Sequence, residues 1–351
     1  MRLVQYLSSD GRRLGVVDGG DVCDITSLRP GLTSTIAAFL QADAAERPLS
    51  RFLMDLMAAG SPARISYTEL LSNRDERDGP LLLLPVDLDD LHHMVVTGTG
   101  LTHLGSMQSR DQMHAVAAAA TSAEEEAKKS DSKKMFEMGL RGGRPPAGER
   151  GVAPEWFYKG NGHVLRASGQ PLDLPDFALD GGEEPELVGC YYIDARGMPR
   201  RLGFALGNEW SDHATEKINY LYLAPSKLRT CAVGPELVLD WDFQHVELRC
   251  TVTQGGKTIY DSGPLLSGEQ HMSHTLANCE DHHFKYPQHR QPGDVHLHYF
   301  GTSKLSHGTR DWQYAAGDEI KIEAPGFSAP LVNIVRVIDA GGPQPTRVQP
   351  A

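Results

Sequence analysis

Carboxylates and a lysine lie among apolar runs and glycines between residues 181 and 235. Side chains at i and i+2 of a strand point to the same side, so Glu184 and Glu186 are predicted to project together, with Glu183 turned away. Pro185 removes one ladder hydrogen bond, which favours the start or edge of a strand. Neighbouring carboxylates repel each other unless a proton or cation lies between them. The pattern fits either a hard-metal site, since Mg²⁺ prefers carboxylate oxygens, or an acidic turn that faces water.

A third carboxylate and a second basic group follow in the same stretch. Glu209 comes just after the apolar strand predicted at Leu202–Leu206, beside Trp210, which is not a typical surface setting. Lys227 also has largely apolar neighbours. Burial disfavours the charged form of a lysine, so we predict a lowered pKa for Lys227, which suits a general base. The alternative is a loop lysine that forms a salt bridge.

Several of the 15 histidines suggest further chemistry. His103 follows the Gly98–Gly100 turn at the end of a predicted strand, where functional groups are often presented. His271 and His274 are spaced to share one helix face, but neither HExxH spacing nor a suitably placed cysteine accompanies them. We therefore predict helix caps and hydrogen-bonded core histidines there rather than a zinc site.

Residues 1–86 are predicted to form a small N-terminal scaffold or dimer-support domain. Leu3–Leu7 and Leu14–Val17 are predicted as short strands around a Ser-Asp-Gly turn. Thr33–Ala58 carries apolar residues at helical spacing. A buried apolar run then ends near Pro85, which we take as the boundary. Nothing in this domain suggests catalysis.

Residues 87–338 are predicted to form a catalytic domain that is mostly β-structure after Trp156. Within it, residues 104–151 contain strong helix formers but little apolar face, and they are either a lid or a plain surface excursion. Gly268–His282 has a helical pattern. Residues 339–351 are rich in proline and glycine and are predicted to be a loose tail. No GxGxxG or GxxxxGK[ST] motif supports a nucleotide site.

The composition argues against several classes of protein. A net charge of −12 argues against nucleic acid as a partner. No apolar run reaches the roughly 20 residues of a membrane-spanning helix. The cysteines form no CxxC pair, so reduced thiols in a cytoplasmic protein are expected. The five cysteines are Cys23, Cys190, Cys231, Cys250 and Cys279.

Together, these motifs resemble the fumarylacetoacetate hydrolase superfamily pattern E-x-E-L, N-D-x-S, G-K and G-P. The matching segments here are Glu184–Leu187, Gly207–Ser211, Ser226-Lys227 and Gly234-Pro235. The order agrees, and the match extends over about residues 90–335. The resemblance implies an α+β fold, with a small N-terminal α/β domain and a β-rich catalytic roll. It also implies a homodimer that acts on 2-oxo acids with Mg²⁺, or alternatively Mn²⁺.

The resemblance implies three sets of site residues. The metal-binding carboxylates are Glu184, Glu186 and Glu209. The catalytic residues that it implies are Lys227 as the substrate lysine, Lys159 as a second active-site lysine and His103 as the catalytic histidine. His213 is a further candidate for the acid. The substrate-binding positions are occupied by Asn208, Ser226 and Thr302.

Two departures from the family pattern bear on the reaction. The usual aspartate after the asparagine is Glu209 here, one methylene longer, and Asp212 is a candidate to share its metal contact. Hydrolases of the family commonly carry a glutamate three residues after the histidine, where this chain has Ser106. Without that carboxylate the activation of water loses its support, unless a glutamate of residues 124–126 replaces it.

Segments such as Asn219–Leu223 resemble the sugar-acid branch of the superfamily. The predicted function is a metal-dependent dehydratase that converts 2-dehydro-3-deoxy-D-pentonate to 2,5-dioxopentanoate in non-phosphorylating pentose oxidation. Lys227, or next Lys159, would take the C3 proton, and His103 or His213 would protonate the leaving C4 hydroxyl. The alternatives are a C–C bond hydrolase of an acylpyruvate-like 2,4-dioxo acid and a sugar-acid sensor without catalysis.

Overall fold

The computed structural model describes residues 1–105, 131–339, 341–342 and 345–351. Its strands are β1 Arg2–Ser8, β2 Gly11–Asp18, β3 Asp21–Asp24, β4 Ala63–Ser66, β5 Leu81–Leu82, β6 Met94–Gly100, β7 Glu155–Asn161, β8 Leu165–Arg166, β9 Pro171–Leu174, β10 Pro185–Ile193, β11 Pro199–Asn208, β12 Cys231–Val238, β13 Val246–Gln254, β14 Lys257–Asp261, β15 Leu265–Ser267, β16 Val295–Tyr299, β17 Glu319–Glu323 and β18 Leu331–Val337. Its α-helices are α1 Ile25–Leu28, α2 Thr35–Ala44, α3 Leu49–Ala59, α4 Tyr67–Ser72, α5 Asp131–Gly142, α6 His213–Ile218, α7 Leu223–Lys227 and α8 Leu276–Phe284.

The strands form two sheets. The larger has the order β4-β3-β2-β1-β12-β11-β10-β16-β6-β7, with β5 also on β1 and β8 also on β12. Within the described part of the chain its pairs are antiparallel except β16–β6 and β12–β8. The smaller sheet has the order β14-β13-β17-β18-β9, with β15 on β13. The chain is thus a mixed and β-rich α+β structure, as predicted.

The N-terminal strands continue the larger sheet. The predicted strands near the N-terminus are confirmed as β1 and β2. β1 pairs with β12, where Leu3 stands opposite Leu237, and one apolar core holds Leu3 and Leu14 together with Val233 and Leu297. The sheet and its core cross the predicted domain boundary, so the division into two domains stays a prediction.

Two helical predictions needed correction. The run Thr33–Ala58 is two helices: α2 ends at Ala44, Glu46 then has a φ of 54° that a right-handed helix does not contain, and Pro48 stands as the cap residue before α3. The pattern Gly268–His282 becomes α-helical only at α8, whose cap Thr275 accepts a hydrogen bond from Asn278 N. The preceding residues form a single 3₁₀ turn.

The predicted excursion at residues 104–151 is described only in part. Its later portion contains α5, which buries Phe136 and Gly139, so this helix is not wholly solvated. Ser106 and the glutamates of residues 124–126 lie outside the described residues. Its interpretation as a lid or a surface excursion stays a prediction.

The composition also led to expectations about membrane helices, cysteines and the C-terminal tail. No helix of the described residues has the length and apolarity to cross a membrane. All five cysteines are buried and none is in a disulfide. In the predicted tail, residues 345–351 are exposed and have no regular secondary structure.

Candidate metal and substrate site

Three buried carboxylates meet where β10 begins and β11 ends. One oxygen from each of Glu184, Glu186 and Glu209 lies within 4.8 Å of the other two, and these residues are 6%, 0% and 1% exposed. Antiparallel pairing places Pro185 opposite Asn208, so the two acidic motifs lie side by side. The burial excludes the alternative of an acidic turn that faces water.

Hydrogen bonds fix the backbone around these carboxylates. Glu184 N donates to Asn208 Oδ1 at 3.1 Å, and Glu209 N donates to Glu184 O at 3.0 Å. Glu183 is also buried, but it is turned away and accepts a hydrogen bond from Tyr314 OH at 2.7 Å. The carboxylate of Glu183 therefore receives a hydrogen bond from the protein, whereas the carboxylates of Glu184, Glu186 and Glu209 face one another.

Lys227, the last residue of α7, lies between two of the carboxylates. Its Nζ is 2.6 Å from Glu184 Oε1 and 3.2 Å from Glu209 Oε2, and 4.7 Å from the centre of the Phe157 ring. Burial by itself lowers the pKa of Lys227, but the two carboxylates outweigh burial and raise that pKa above its ordinary value. The predicted lowering of the pKa is therefore wrong while Lys227 is their counterion.

The three carboxylates titrate differently because their surroundings differ. Burial raises the pKa of Glu186 well above its ordinary value, and the charges of Glu209 and Glu184 raise it further. Burial and Glu184 also raise the pKa of Glu209 against the opposing effect of Lys227. At Glu184 the effect of burial is outweighed by Lys227 and His213, so the pKa of Glu184 is lowered. Without a cation, burial and mutual repulsion therefore favour the neutral forms of Glu186 and Glu209.

Glu186 carries the clearest indication that a cation fits this group. Its Oε2 accepts a hydrogen bond from Gly301 N at 2.7 Å, whereas its Oε1 has no hydrogen-bond partner among the described residues. A buried carboxylate oxygen without a donor is costly. A hard divalent cation such as Mg²⁺ binds oxygens of this kind. The three glutamates therefore fit the predicted metal.

Lys159 on β7 is fully buried behind Glu209. Its Nζ donates to Trp210 O at 2.6 Å and to Lys227 O at 2.9 Å, and it lies 3.2 Å from Glu209 Oε1. The ammonium thus joins the loop after β11 to the end of α7. These contacts position other site residues, and a role for Lys159 as the base stays a prediction.

His213 begins α6, after the cap residue Asp212. Its Nε2 is 3.1 Å from Glu184 Oε1. Burial lowers the pKa of His213, but the hydrogen bond and charge of Glu184 outweigh burial and raise it. Asp212 itself pairs with Arg229 and caps the helix, so these contacts give no support to its sharing a metal contact with Glu209.

His103 follows a turn in which Leu101 has a φ of 52°. Thr102 Oγ1 donates its proton to Phe300 O at 2.8 Å, so we assign it as the acceptor for His103 Nδ1, 2.9 Å away. His103 Nε2 then accepts from Ser267 Oγ at 3.3 Å. Burial lowers the pKa of His103 to about 3, so the imidazole is neutral at physiological pH.

The three predicted substrate-binding residues differ in what their polar atoms contact. Asn208 Nδ2 is buried and has no hydrogen-bond partner in the described part of the chain. The Ser226 hydroxyl donates to Leu223 O at 2.7 Å, and the Thr302 hydroxyl donates to Lys304 O at 3.0 Å. Of the three, Asn208 has the side chain best suited to donate to a substrate.

The sequence prediction missed one buried carboxylate on β7. Glu155, Phe157 and Lys159 alternate along one buried face of this strand, and the latter two contact the lysine and carboxylates described above. Glu155 is 4% exposed and accepts a hydrogen bond from Tyr220 OH at 2.9 Å. The alternation Glu-Trp-Phe-Tyr-Lys was the available signal, since it places Glu155 on the same side as Lys159.

No family model and no curated protein sequence matches the chain, but solved structures do. The apo form of 2-keto-3-deoxy-D-arabinonate dehydratase matches with a TM-score of 0.67 and 16% identity, over 97% of this chain and 100% of that chain. The same enzyme complexed with magnesium and 2,5-dioxopentanoate gives 0.66 and 16%, over 96% and 99%. The chain shares this fold. The 2-hydroxyhepta-2,4-diene-1,7-dioate isomerase from Mycobacterium marinum gives 0.52 and 17%, over 96% and 98%.

The predicted resemblance to the fumarylacetoacetate hydrolase superfamily is thereby confirmed at the level of the fold. Identities of 16% and 17% establish the fold and not the reaction. The reaction must be inferred from the side chains of this chain.

Proposed function

We propose that this protein is a metal-dependent hydro-lyase that converts 2-dehydro-3-deoxy-D-pentonate to 2,5-dioxopentanoate. The principal support is the buried group of three glutamates around Lys227. It occurs in the fold of a dehydratase whose structure holds magnesium and 2,5-dioxopentanoate. We also propose that the protein is a homodimer, as the family resemblance implies.

Glu184, Glu186 and Glu209 would hold Mg²⁺, or Mn²⁺ in its place. When bound, the cation polarises the 2-oxo group of the substrate, which makes the C3 protons more acidic. Asn208 Nδ2 is available to donate a hydrogen bond to a substrate oxygen. The burial of all three carboxylates keeps bulk water away and so strengthens each electrostatic contact.

Lys227 is the residue that we assign to the C3 proton. Its ammonium is paired with Glu184 and Glu209, which raises its pKa. Carboxylates committed to a divalent cation no longer stabilise that ammonium, so burial then favours the neutral amine. The neutral amine can accept a proton. Lys159 is a weaker candidate because three oxygens hold its ammonium.

For protonation of the leaving C4 hydroxyl, His213 and Glu155 suit the role better than His103. The raised pKa of His213 favours its protonated form. Glu155 is buried on the same strand face as Lys159. His103 is neutral, and its remaining proton is directed at Thr102. Loss of water leaves a C3=C4 double bond beside the C5 hydroxyl; transfer of a proton from C5 to C3 then gives the C4=C5 enol, whose tautomerisation gives the aldehyde.

The direct test incubates the purified protein with Mg²⁺ and a 2-keto-3-deoxypentonate and identifies the products by mass spectrometry. We expect 2,5-dioxopentanoate. We expect Glu184→Ala and Lys227→Ala to abolish turnover while circular dichroism shows a retained fold. Unchanged activity in either variant, or no reaction across a panel of 2-keto-3-deoxy acids, would refute the assignment.

A C–C bond hydrolase of an acylpyruvate-like 2,4-dioxo acid is the second candidate. The observation in its favour is the neutral His103, which would act as a base if its Nε2 exchanged the hydrogen bond from Ser267 Oγ for one from a water molecule. A hydrolase would release two acids from a 2,4-dioxo acid and no semialdehyde from the sugar acid. A sensor would instead show metal-dependent thermal stabilisation without turnover on either substrate.

A further inference from the structure

A second group of metal-binding side chains lies next to the three glutamates. One ligand atom from each of Asp180, His213 and His307 lies within 4.8 Å of the other two. His307 Nδ1 is 2.8 Å from Asp180 Oδ2, and the two imidazole ring centres are 5.1 Å apart. The Asp180 and His307 side chains are only 10% and 14% exposed. The group is therefore largely shielded from solvent rather than lying on the open surface.

His213 is arranged as metal-ligating histidines are. Its Nε2 contacts Glu184, whereas its Nδ1 is buried without a hydrogen-bond partner among the residues that the structure describes. A histidine that donates one N–H to a carboxylate presents a lone pair at its other nitrogen. Residue 182 beside it is glycine, and a Cβ there would lie 2.1 Å from Nδ1. Any side chain at that position would crowd the nitrogen.

We propose that Asp180, His213 and His307 form a second divalent-cation site, selective for ions of the Zn²⁺ and Co²⁺ class. Two imidazole nitrogens and one carboxylate oxygen suit such ions, whereas three glutamates suit Mg²⁺. His213 joins the two sites because its other nitrogen contacts Glu184. The chain therefore binds two cations of different classes. This assignment goes beyond the proposed reaction and does not depend on it, but a cation on His213 Nδ1 takes the place of the second proton of His213, so the acid at C4 is then Glu155.

Arg310 orients the carboxylate of the second site. Its guanidinium pairs with Asp180 Oδ1 and donates to Gly181 O at 2.9 Å, which leaves Asp180 Oδ2 on the side of the imidazoles. The cation replaces the proton that His307 and Asp180 share, and that proton is released to solvent. Because the charge of Arg310 opposes the cation, we expect weaker binding than at a site without an arginine.

Cobalt can distinguish the two sites, since Co²⁺ held by histidine nitrogens absorbs visible light and Mg²⁺ does not. The full chain, stripped with a chelator, is titrated with Co²⁺ in excess Mg²⁺, and the bound metal is counted after desalting. We expect one equivalent of Co²⁺, with a visible band that Mg²⁺ does not remove. The absence of such a band and of bound Co²⁺ would overturn the proposal without bearing on dehydration.

Matched variants locate the bound ion. His307→Gln removes one ligand and Gly182→Ala crowds another, so both should lose the band and the equivalent of Co²⁺, with thermal unfolding as the check on folding. Glu186→Gln should keep both. His245→Gln is the control for adventitious binding, because His245 Nδ1 and His271 Nε2 form an exposed pair 2.7 Å apart that Co²⁺ could also bind. This substitution should change neither the band nor the bound Co²⁺. Retention of the band in His307→Gln and Gly182→Ala, or its loss in Glu186→Gln or His245→Gln, would overturn the second site.

Discussion

Glu183 and Glu186 are both fully buried, but their oxygens have different surroundings. Glu183 accepts hydrogen bonds from Ser306 and Tyr314, whereas Glu186 Oε1 has no partner among the described residues. We predict that Mg²⁺ raises the Tm of the protein, because a ligand at 100 times its Kd adds about 2.7 kcal/mol to the free energy of unfolding.

The two neighbouring glutamates provide a matched pair for this measurement. Glu186→Gln should remove the Mg²⁺-induced rise in Tm because a metal ligand is lost. Glu183→Gln should lower the Tm itself, since a buried network is weakened, but it should keep the rise. Differential scanning calorimetry with and without Mg²⁺ measures both. An equal rise in Glu186→Gln would contradict the metal assignment.

Lys227 is the counterion shared by two buried carboxylates, so its removal leaves Glu184 with only His213 and Glu209 with only Lys159 as a basic neighbour. We predict that Lys227→Met lowers the free energy of unfolding by about 3–5 kcal/mol without a divalent cation. Mg²⁺ should then restore more stability to the variant than it adds to the unchanged protein. Urea unfolding with and without Mg²⁺ tests this, and an equal Mg²⁺ effect on both proteins would argue that the lysine and the metal use separate carboxylates.

The residue types of this site could be predicted from the sequence, but their ionisation could not. Glu184, Glu186, Glu209 and Lys227 were all expected to meet, and the structure brings them together. The direction of the pKa shift of Lys227 depends on separations of 2.6 and 3.2 Å to two carboxylates. The amino-acid sequence indicates burial but not the distance between two side chains. The predicted pKa of Lys227 was therefore based on burial alone.

At the scale of the elements, the close approach of β6 and β7 places the site lysine. Gly98 stands opposite Phe157, and a Cβ at Gly98 would lie 2.4 Å from the ring, which in turn faces Lys227. We predict that Gly98→Ala lowers the free energy of unfolding by about 1–3 kcal/mol and reduces kcat. Gly20→Ala is the control, because a Cβ there meets nothing within 4 Å. Denaturant unfolding and kcat are measured for both variants. Equal effects of the two substitutions would show that the contact between Gly98 and Phe157 does not position Lys227.

Sequence patterns predicted a secondary-structure element correctly where contacts between residues close in sequence determine it. Strands β1 and β2 follow from a tight turn and apolar residues. The pairing of β1 with β12 and of β10 with β16 could not be predicted in this way, because it depends on segments far apart in the chain. The break between α2 and α3 was missed because apolar spacing was given more weight than Pro48, the cap residue of the second helix.

At the scale of the whole molecule, buried histidines make the protein sensitive to acid. Burial lowers the pKa of His296 and His298 to about 3, and burial lowers that of His283 as well. Unfolded histidines titrate near 6.5, so the unfolded chain binds more protons as pH falls from 6.5 towards 3. Stability is therefore present above pH 6.5 and is lost below it, by up to about 1.4 kcal/mol per histidine for each pH unit.

Urea unfolding between pH 7.5 and 5 measures this loss. His298→Gln should reduce the slope of stability against pH, because one buried titrating group is removed. The exposed His163 serves as the control, and His163→Gln should leave the slope unchanged. A slope unaltered in His298→Gln would show that other groups dominate the acid response.

Because residues 1–86 share a sheet with the rest of the chain, we predict that the stability of the segment from Asp87 onward depends on them. Tyr67 OH donates to the fully buried Glu236 at 2.8 Å, and β1 covers an edge of β12. A chain that begins at Asp87 loses both contacts, so we predict that it fails to unfold cooperatively and aggregates. Circular dichroism melting tests this, with removal of residues 345–351 as the control. Cooperative unfolding of the shortened chain would instead support an independent catalytic domain.

The pairing of β1 with β12 also has a consequence for synthesis on the ribosome. Leu3 meets Leu237, which is made roughly 230 residues later. At about 5–20 residues per second, β1 waits for roughly 10–50 s with part of its edge uncovered. An uncovered edge can pair with another chain. Nascent chains that stall before β12 emerges should therefore be the form of this protein most in need of a chaperone.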